Sequence, residues 1–240
     1  MAAQPTYSAI LAAHNEAGTI GPLVGELRSR LGAEAEILVV DDGSEDGTSE
    51  RAVEAGATVL RHAVNRGKGA AIRTGIAAAS GAIAVLMDVD GQDLADDVPA
   101  LLKPLCNGAD FVIGSKFIGV RRPGSISTVN ALGNRFMSLV INGLYGARLT
   151  DTQSGFKAAR LELLKSLDLR ADEYDIESEM LAKALMRGAR VVEVPVVRDR
   201  RQAGRSGLKR VRHGLKILAM ILRVRVAERA SGRDGTAREA

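Results

Sequence analysis

The sequence predicts an α/β protein built on an open, mostly parallel, doubly wound sheet. Short apolar runs alternate with amphipathic stretches throughout the first half. Several of these runs are almost continuously apolar, as strands covered by helices on both faces are. Strand and helix alternating at this spacing indicate a parallel sheet. With 240 residues, 46% of them hydrophobic, the chain suits one large domain with a full core.

The first half supplies five strands and four helices. The strands are predicted at residues 7–12, 36–40, 58–61, 82–87 and 111–114, and the helices at 20–31, 48–55, 68–79 and 95–105. In such sheets ligands bind at the carboxyl ends of the strands. The polar motifs of this half follow the strands, so we expect the functional site at that edge.

The second half opens with a basic, turn-rich segment at residues 121–125. Helices are predicted at 129–144 and 176–187, and strands at 155–159 and 191–196. A basic loop at 198–207 and a long amphipathic helix at 208–229 follow. We therefore predict one domain over residues 1–207, an appended helix at 208–229, and a disordered tail of small and polar residues at 230–240.

Composition and charge narrow the class of protein. A single Cys106 excludes an internal disulfide framework. There is no signal peptide and no apolar run near the roughly 20 residues of a membrane span, so we expect a cytoplasmic protein. The net charge is +4, yet residues 198–229 hold eleven Lys/Arg against two acids, a local excess of +9 that leaves about −5 elsewhere. Such segregation is typical of a surface for an anionic partner, although an ordinary solvated helix face explains it too.

Polar residues follow the first two strands. Asn15 and Glu16, after His14, could hold a nucleotide or cap the next helix. The adjacent carboxylates of Asp41 and Asp42 can accept hydrogen bonds from a base or a ribose. The turn at residues 46–48 is read as the start of a helix. We therefore assign Asp41 and Asp42 to function and this turn to structure.

Residues 65–69, Asn-Arg-Gly-Lys-Gly, open the third helix. Glycines let a backbone approach a ligand, and a helix N-terminus with Arg66 and Lys68 beside it favours an anion. The segment is not a phosphate-binding P-loop, because the long glycine spacing and the Lys-Ser/Thr pair are missing.

Asp88 and Asp90, with Gln92 shortly after, follow the apolar fourth strand. Alternate residues of an extended segment point the same way, so both carboxylates can reach one ligand. Two carboxylates that share one ligand lie close together, and they repel each other unless a proton or a cation lies between them. Mg²⁺ or Mn²⁺, shared with a diphosphate, meets this need. The alternative is a solvated loop without a metal.

Further acids occur in the second half, at residues 151–156 (Asp-Thr-Gln-Ser-Gly-Phe) and 174–179 (Tyr-Asp-Ile-Glu-Ser-Glu). Acids at a helix N-terminus are favoured electrostatically in any protein. Glycosyl transfer to a free hydroxyl needs a general base, which one of them could supply. A phosphate acceptor is already ionised and needs none.

Taken together, these motifs resemble family 2 glycosyltransferases of the GT-A fold, and more closely the dolichyl- or polyprenyl-phosphate mannose and glucose synthases. The resemblance runs from about Ser8 to about Leu208 and is carried by residues 14–16, 39–48, 86–92, 113–116, 151–156 and 193–196. It implies a nucleotide-binding first half and an acceptor-binding second half. It also implies a nucleotide sugar, GDP-mannose or UDP-glucose, as donor.

The resemblance further implies roles for individual residues. Glu16 and Asp42, with Asp41 near them, would contact the nucleoside; Asn15, Arg66 and Lys68 are further binding candidates from their place in the motifs above. Asp88, Asp90 and Gln92 would hold the metal and the sugar diphosphate. The sugar or acceptor pocket would be lined by Asp151, Gln153 and Ser154; Lys116 stands where an Arg is more usual. Arg201 and Ser206 belong to a basic loop that closes over the diphosphate. The candidate catalytic residues are Asp90, Asp151, Glu177 and Arg201.

The helix at 208–229 is basic and amphipathic, with Leu215, Leu218, Ile221 and Leu222 at helical spacings. Such a helix can lie in the interface of a bilayer with anionic lipids, which would suit an enzyme acting on a polyprenyl phosphate. Packing on its own domain, or in a dimer, is the alternative.

The hypothesis is thus an inverting transferase that moves mannose or glucose from a GDP- or UDP-sugar to a polyprenyl or dolichyl phosphate. A soluble acceptor is the alternative within the class, and a nucleotidyltransferase is a more distant one. A nucleic-acid-binding module is disfavoured, because only 3% of the residues are aromatic and the first half is acidic. The sequence does not define the oligomeric state.

Overall fold

The computed structural model describes residues 7–200 and 210–235, with side chains over 7–200 and 214–226. The strands in this part of the chain are β1 (Tyr7–Ala13), β2 (Glu36–Asp41), β3 (Thr58–Arg61), β4 (Ile83–Asp88), β5 (Phe111–Arg121), β6 (Lys157–Arg160) and β7 (Val191–Arg198). The helices are α1 (Ile20–Leu31), α2 (Thr48–Glu54), α3 (Lys68–Ala78), α4 (Val98–Cys106), α5 (Thr128–Tyr145), α6 (Leu161–Ser166), α7 (Ile176–Met186) and α8 (Arg210–Gly235).

The seven strands form one sheet in the order β3-β2-β1-β4-β6-β5-β7. All neighbouring pairs are parallel except those of β6, which runs antiparallel to both β4 and β5. This confirms the predicted α/β fold with a mostly parallel, doubly wound sheet. The chain reverses its direction of winding between β1 and β4, and a crevice opens there at the carboxyl ends of these strands.

The core has two layers, one on each face of the sheet. Neighbouring residues of β1 point to opposite faces: Leu11 belongs to the layer that includes α1, α2 and α4, whereas Ile10 belongs to the layer that includes α3 and α5–α8. Burial on both faces explains why the strands are apolar at successive positions.

The elements of the second half differ from the prediction in length. β5 continues to Arg121 because β7 pairs along it, with an irregularity between Ser115 and Val120. Gly119 allows this pairing, since a Cβ at that position would collide with the backbone of Val196.

Two helices also differ from the prediction. The helix expected at 95–105 is split into a 3₁₀ turn at Ala95–Asp97 and α4. α8 continues to Gly235, six residues beyond its predicted end and into the segment expected to be disordered. Residues 208–209 and 236–240 of the predicted helix and tail lie outside the described residues.

Candidate active site

The loops after β1 and β2 are tied together. The Asn15 backbone N–H donates to Ser44 Oγ at 2.9 Å, and Asn15 Oδ1 accepts from the Glu45 N–H at 2.9 Å. The Glu16 N–H donates to Thr48 Oγ1 at 2.9 Å. Asn15 has φ 56°, a left-handed conformation that Asn tolerates better than most residues. These contacts give the predicted nucleoside region a fixed wall.

The buried carboxylates of Asp41 and Asp42 stabilise these loops from the interior of the protein. Asp41 accepts from the Ser44 N–H and Ser49 Oγ. Burial alone would raise the pKa of Asp41, but these hydrogen bonds outweigh it and lower the pKa. Asp42 accepts from the Arg66 and Gly67 N–H groups at 2.9 and 2.8 Å. In this structure both carboxylates shape loops, and their direct contact with a nucleoside stays a prediction.

The N-terminus of α3 is not open to an anion in this structure. The Gly69 and Ala70 N–H groups donate to the carbonyl of Asp172, at 2.8 and 3.2 Å. A Cβ at Gly67 or Gly69 would strike the backbone at residues 171–172. The glycines therefore allow two protein segments to meet, and anion binding at this helix N-terminus stays a prediction that the Asp172 carbonyl argues against. Arg66 is exposed at its margin.

The Lys68 side chain points instead toward the carboxyl end of β4. Its Nζ lies 2.6 Å from Asp88 Oδ1 and 2.8 Å from Glu177 Oε1. Burial would raise the pKa of Asp88, but Lys68 and then Arg198 outweigh it and lower the pKa to about 2. Burial would lower the pKa of Lys68, but the two carboxylates raise it above its ordinary value. Asp88 is therefore an anion whose present counter-ion is an ammonium group.

Asp90 and Gln92 lie beside a second ion pair. Asp90 is buried, and its Oδ1 accepts from the Gln92 N–H at 3.0 Å. Gln92 Nε2 donates to the carbonyls of Ser125 and Asp199, and its Oε1 accepts from Arg198 at 3.0 Å. The Gln92 amide therefore joins the loop after β4 to the end of β7, and its role as a metal ligand stays a prediction.

These residues fit a divalent cation that is shared with a substrate. Among the described residues, no three His, Cys, Asp or Glu side chains are grouped to hold a metal alone. Mg²⁺ needs no such group, because it commonly takes one or two carboxylates and completes its shell with water and phosphate oxygens. Asp88 lines the cavity and Asp90 is buried two residues further on, so their carboxylates are the candidate donors. The Lys68 ammonium shows that a cation is accommodated against Asp88.

Asp151 is a buried counter-ion for Lys116. Its two carboxylate oxygens lie 2.8 and 2.6 Å from Lys116 Nζ, and Asn134 Nδ2 donates to it at 2.6 Å. The Asp151 side chain is 0% exposed, whereas Lys116 reaches the cavity described below. A general base must reach its substrate, so this burial argues against a catalytic role for Asp151, which stays a prediction. Asp151 positions Lys116 instead.

Glu177 is held between two lysines. Besides Lys68, it pairs with Lys157, a fully buried residue of β6. Burial would raise the pKa of Glu177, but Lys157 and then Lys68 outweigh it and lower the pKa. A carboxylate so stabilised is a weak proton acceptor, which argues against the candidate role of Glu177 as general base.

The other two residues that were predicted to line the sugar or acceptor pocket, Gln153 and Ser154, have different surroundings. Gln153 lines the cavity and donates from Nε2 to Ser178 Oγ at 2.6 Å. The buried Ser154 hydroxyl donates to the Gly114 carbonyl at 2.8 Å, so it joins β5 to the turn before β6. Arg201 and Ser206 lie outside the described residues.

One cavity of about 590 Å³ collects these groups. Asp88, Lys68 and Glu177 line one side, and Lys116 lies with them. The other side is formed by the segment before α5 and by residues of α5 and α8, with the apolar lining Ile126, Val129, Met137 and Ile217. The cavity thus joins a charged end to an apolar wall.

Sequence reasoning missed several residues of this site. His62 bonds Asp42 through Nδ1 at 2.6 Å, and Lys157 supports Glu177. Arg198 pairs with the buried Asp93. Position at a strand end was the available signal for His62 and Arg198. A lysine inside an apolar strand was the signal for Lys157, because such a residue is rarely buried unless it is paired.

The carboxyl ends of the strands, with Asp88 paired to Lys68 beside a cavity of about 590 Å³, form the kind of crevice in which α/β enzymes bind their ligands. The sequence profile described as glycosyl transferase family 2 matches residues 8–167, so the chain belongs to this family of enzymes, and its fold is GT-A. The chain is similar to glycosyltransferase AglJ of Haloferax volcanii, with 36% identity over 80% of this chain and 60% of the relative.

It is also similar to an undecaprenyl-phosphate mannosyltransferase of Micrococcus luteus, with 32% identity over 82% of this chain and 85% of the relative. Among solved structures, it is similar to glucosyl-3-phosphoglycerate synthase from Mycobacterium tuberculosis in complex with Mn²⁺ and UDP-glucose. That structure shares 29% identity, with a TM-score of 0.74 over 91% of this chain and 78% of the other.

Proposed function

We propose that this enzyme transfers a hexose, mannose or glucose, from a nucleoside diphosphate sugar to a polyprenyl phosphate, with a divalent cation at Asp88 and Asp90. The observation that carries the proposal is the state of the acids around the cavity. Asp151 and Glu177 are each neutralised by lysine. A hydroxyl acceptor needs a base at this place, whereas a phosphate acceptor does not.

The chemistry follows from this arrangement. An oxygen of the acceptor phosphate attacks the anomeric carbon, the bond from that carbon to the donor diphosphate breaks, and the nucleoside diphosphate leaves with the electron pair. A bound Mg²⁺ or Mn²⁺ supplies positive charge to the leaving group. Lys116 would hold the acceptor phosphate, since Asp151 fixes its ammonium at the cavity. The apolar wall would take the first isoprenoid units.

The names of two similar proteins support the proposed acceptor and the proposed donor. The Micrococcus luteus protein is named for undecaprenyl phosphate and mannose, and the solved synthase holds Mn²⁺ with UDP-glucose. That synthase is also named for a soluble acceptor, 3-phosphoglycerate, which keeps a soluble acceptor as the second candidate. GDP and UDP remain alternatives for the donor nucleotide.

The association with a membrane is part of the same proposal. None of the helices in the described part of the chain is long and apolar enough to span a bilayer. The acceptor would be reached from the membrane surface, with contact through residues 208–229. The packing of α8 on its own domain through Ile217, Ile221 and Val224 leaves Leu215 and Leu222 exposed for that contact.

The test is a matrix of donors and acceptors. Radiolabelled GDP-mannose and UDP-glucose are each combined with undecaprenyl phosphate or 3-phosphoglycerate, with Mn²⁺, with Mg²⁺ or with EDTA. We expect transfer to the prenyl phosphate with one donor, lost in EDTA and in Asp88→Asn. Transfer to 3-phosphoglycerate alone would establish the second candidate, and no transfer to either would reject the proposal.

A further inference from the structure

Glu193 is an acid inside the apolar strand β7, at the start of the motif at residues 193–196. Its neighbours Val192 and Val194 pack in the layer of α1, α2 and α4, so the Glu193 side chain points to the opposite face of the sheet. There its carboxylate meets the segment between α5 and β6. It accepts from the Thr150 N–H at 2.8 and 2.9 Å, from Thr150 Oγ1 at 2.9 Å and from the Asp151 N–H at 2.7 Å. The acid therefore fixes two consecutive backbone amides.

The last of these contacts leads to the active-site cavity. Asp151 has its backbone N–H against Glu193, and its fully buried carboxylate holds Lys116 Nζ at 2.8 and 2.6 Å. The Lys116 backbone N–H also donates to Asp151 Oδ2, at 3.3 Å. The Lys116 side chain lines the cavity and is 12% exposed. Because the Asp151 side chain is short, a shift of its backbone moves the carboxylate and the ammonium group that is paired with it.

The same segment has a second anchor, on α5. Asn142 Nδ2 donates to the Leu149 carbonyl at 2.9 Å, and Asn142 Oδ1 accepts from the Leu149 N–H at 2.9 Å. Leu149 precedes Thr150 and Asp151 in the chain, so this anchor holds the start of the segment. Of the two anchors, Glu193 is the one that contacts Asp151 directly. A role confined to stability would be shared by both anchors, whereas a role in placing Lys116 belongs to Glu193.

We propose that Glu193 is a positioning residue for the acceptor phosphate: it holds the Asp151 amide, Asp151 holds Lys116, and Lys116 stays at the charged end of the cavity. Glu193 acts through these two residues, since its own carboxylate is occupied by the Thr150 and Asp151 amides. The use of Lys116 by an acceptor phosphate rests on the proposed function; the placement of Lys116 by Glu193 does not. A charge-assisted hydrogen bond to a phosphate depends on the position of its donor, so loss of Glu193 should weaken acceptor binding more than donor binding.

The experiment compares the steady-state kinetics of three variants of the full chain. The acceptor is geranyl phosphate, a short, water-soluble prenyl phosphate, and the donor is whichever of GDP-mannose and UDP-glucose the wild type uses. We expect Glu193→Ala to raise the KM for geranyl phosphate about tenfold and to keep the KM for the donor within about twofold of the wild type. Glu193→Gln keeps a carbonyl oxygen that can accept from the Asp151 N–H, so it should recover part of the loss. Asn142→Ala is the matched control: it should lower Tm, as Glu193→Ala does, and keep the wild-type KM for geranyl phosphate.

A second measurement needs no transfer. Acylation of Lys116 by a succinimidyl ester, followed by peptide mass spectrometry, should be faster in Glu193→Ala than in the wild type and in Asn142→Ala, because only an amine that leaves its ion pair can attack the ester. The positioning proposal is overturned if Glu193→Ala keeps both the wild-type KM and the wild-type labelling of Lys116, or if Asn142→Ala raises the KM for geranyl phosphate equally. If the wild type transfers to no phosphate acceptor while Glu193→Ala still speeds the labelling, the placement of Lys116 by Glu193 stands and the proposed function fails.

Discussion

At the scale of single residues, the charged side chains of the site are paired with one another. Lys68 neutralises Asp88 and Glu177, Lys157 supports Glu177, and Lys116 is paired with Asp151. Each acid around the charged end of the cavity therefore has a partner before any substrate arrives. A divalent cation at Asp88 would have to displace the Lys68 ammonium, which would then be available for the donor diphosphate.

Gly155 sets the space available to Asp88. A Cβ at this position would lie 2.6 Å from Asp88 Oδ2, which forces the carboxylate to move. We expect Gly155→Ala to fold normally and to bind Mn²⁺ with a nucleotide at least about tenfold more weakly, because the metal oxygens lose their geometry. Isothermal titration calorimetry measures this. Gly143→Ala on α5, where a Cβ meets nothing within 4 Å, is the control and should bind like the wild type.

The Lys157–Glu177 pair governs stability. Lys157 is 0% exposed, so Glu177→Gln leaves a buried ammonium with no carboxylate beside it. We expect the free energy of unfolding in urea to fall by about 3 kcal/mol. The double variant Glu177→Gln/Lys157→Met removes both charges and should recover at least half of that loss. A double variant as unstable as the single one would contradict this account.

At the scale of elements, Asp46 joins α2 to the loop after β1. Its Oδ1 accepts from the Thr48 N–H at 3.2 Å, and its Oδ2 accepts from the Ala17 N–H at 3.1 Å. Asp46 sits two residues before Thr48, which opens the helix. The turn at residues 46–48 was predicted as a helix start from its residue types, and the structure confirms that α2 begins at Thr48.

Removal of this link should cost stability in a pH-dependent way. We expect Asp46→Ala to lower the free energy of unfolding by about 1 kcal/mol at neutral pH, and Glu45→Ala, at the exposed neighbour, to change it little. Burial would raise the pKa of Asp46, but hydrogen bonds from Thr48 and Ala17 lower it. A lowered pKa in the folded state gives stability above the unfolded value, and this stability is lost as the pH falls below about 4. The difference in the free energy of unfolding between the wild type and Asp46→Ala should therefore become smaller at acidic pH.

Helices and strands were predictable where the residues adjacent in the sequence determine them. The apolar runs and helix starts of the first half depend on local pattern, and β1 to β4 were located within a residue or two. The length of β5 was not predictable, because pairing with β7, about 80 residues later, extends it past Gly114. The short α6 offers less than two turns of periodicity.

The residues of the site also differ in whether local sequence could predict them. The carboxylates at the strand ends were predictable, because position after a strand is a local property. Their partners were not: Lys157 meets Glu177 from 20 positions away, and Arg198 meets Asp93 from 105. Asp151 therefore resembled a base in the sequence and is a lysine's counter-ion in the structure.

At the scale of the whole molecule, donor and metal should bind as one unit. Asp88 closes the central strand, so a ligand there stabilises the entire sheet. At a nucleotide concentration of about 100 times the Kd, the gain is about 2.7 kcal/mol, which raises Tm by roughly 5–10 °C for a chain of this size. We expect UDP or GDP to raise Tm with Mn²⁺ and to lose the effect in EDTA or in Asp88→Asn. An equal rise in Tm without a metal ion would contradict the proposal that a divalent cation binds at Asp88.

The antiparallel strand β6 constrains how this enzyme is made. β1 to β4 form a parallel unit from residues 7–88, but the free edge of β4 is completed only by residues 157–160, and β5 meets no other strand until β6 and β7 exist. During synthesis on the ribosome, the unit of β1 to β4 should therefore assemble first, with the edge of β4 still open. The second half of the chain then closes onto it in one late, cooperative step.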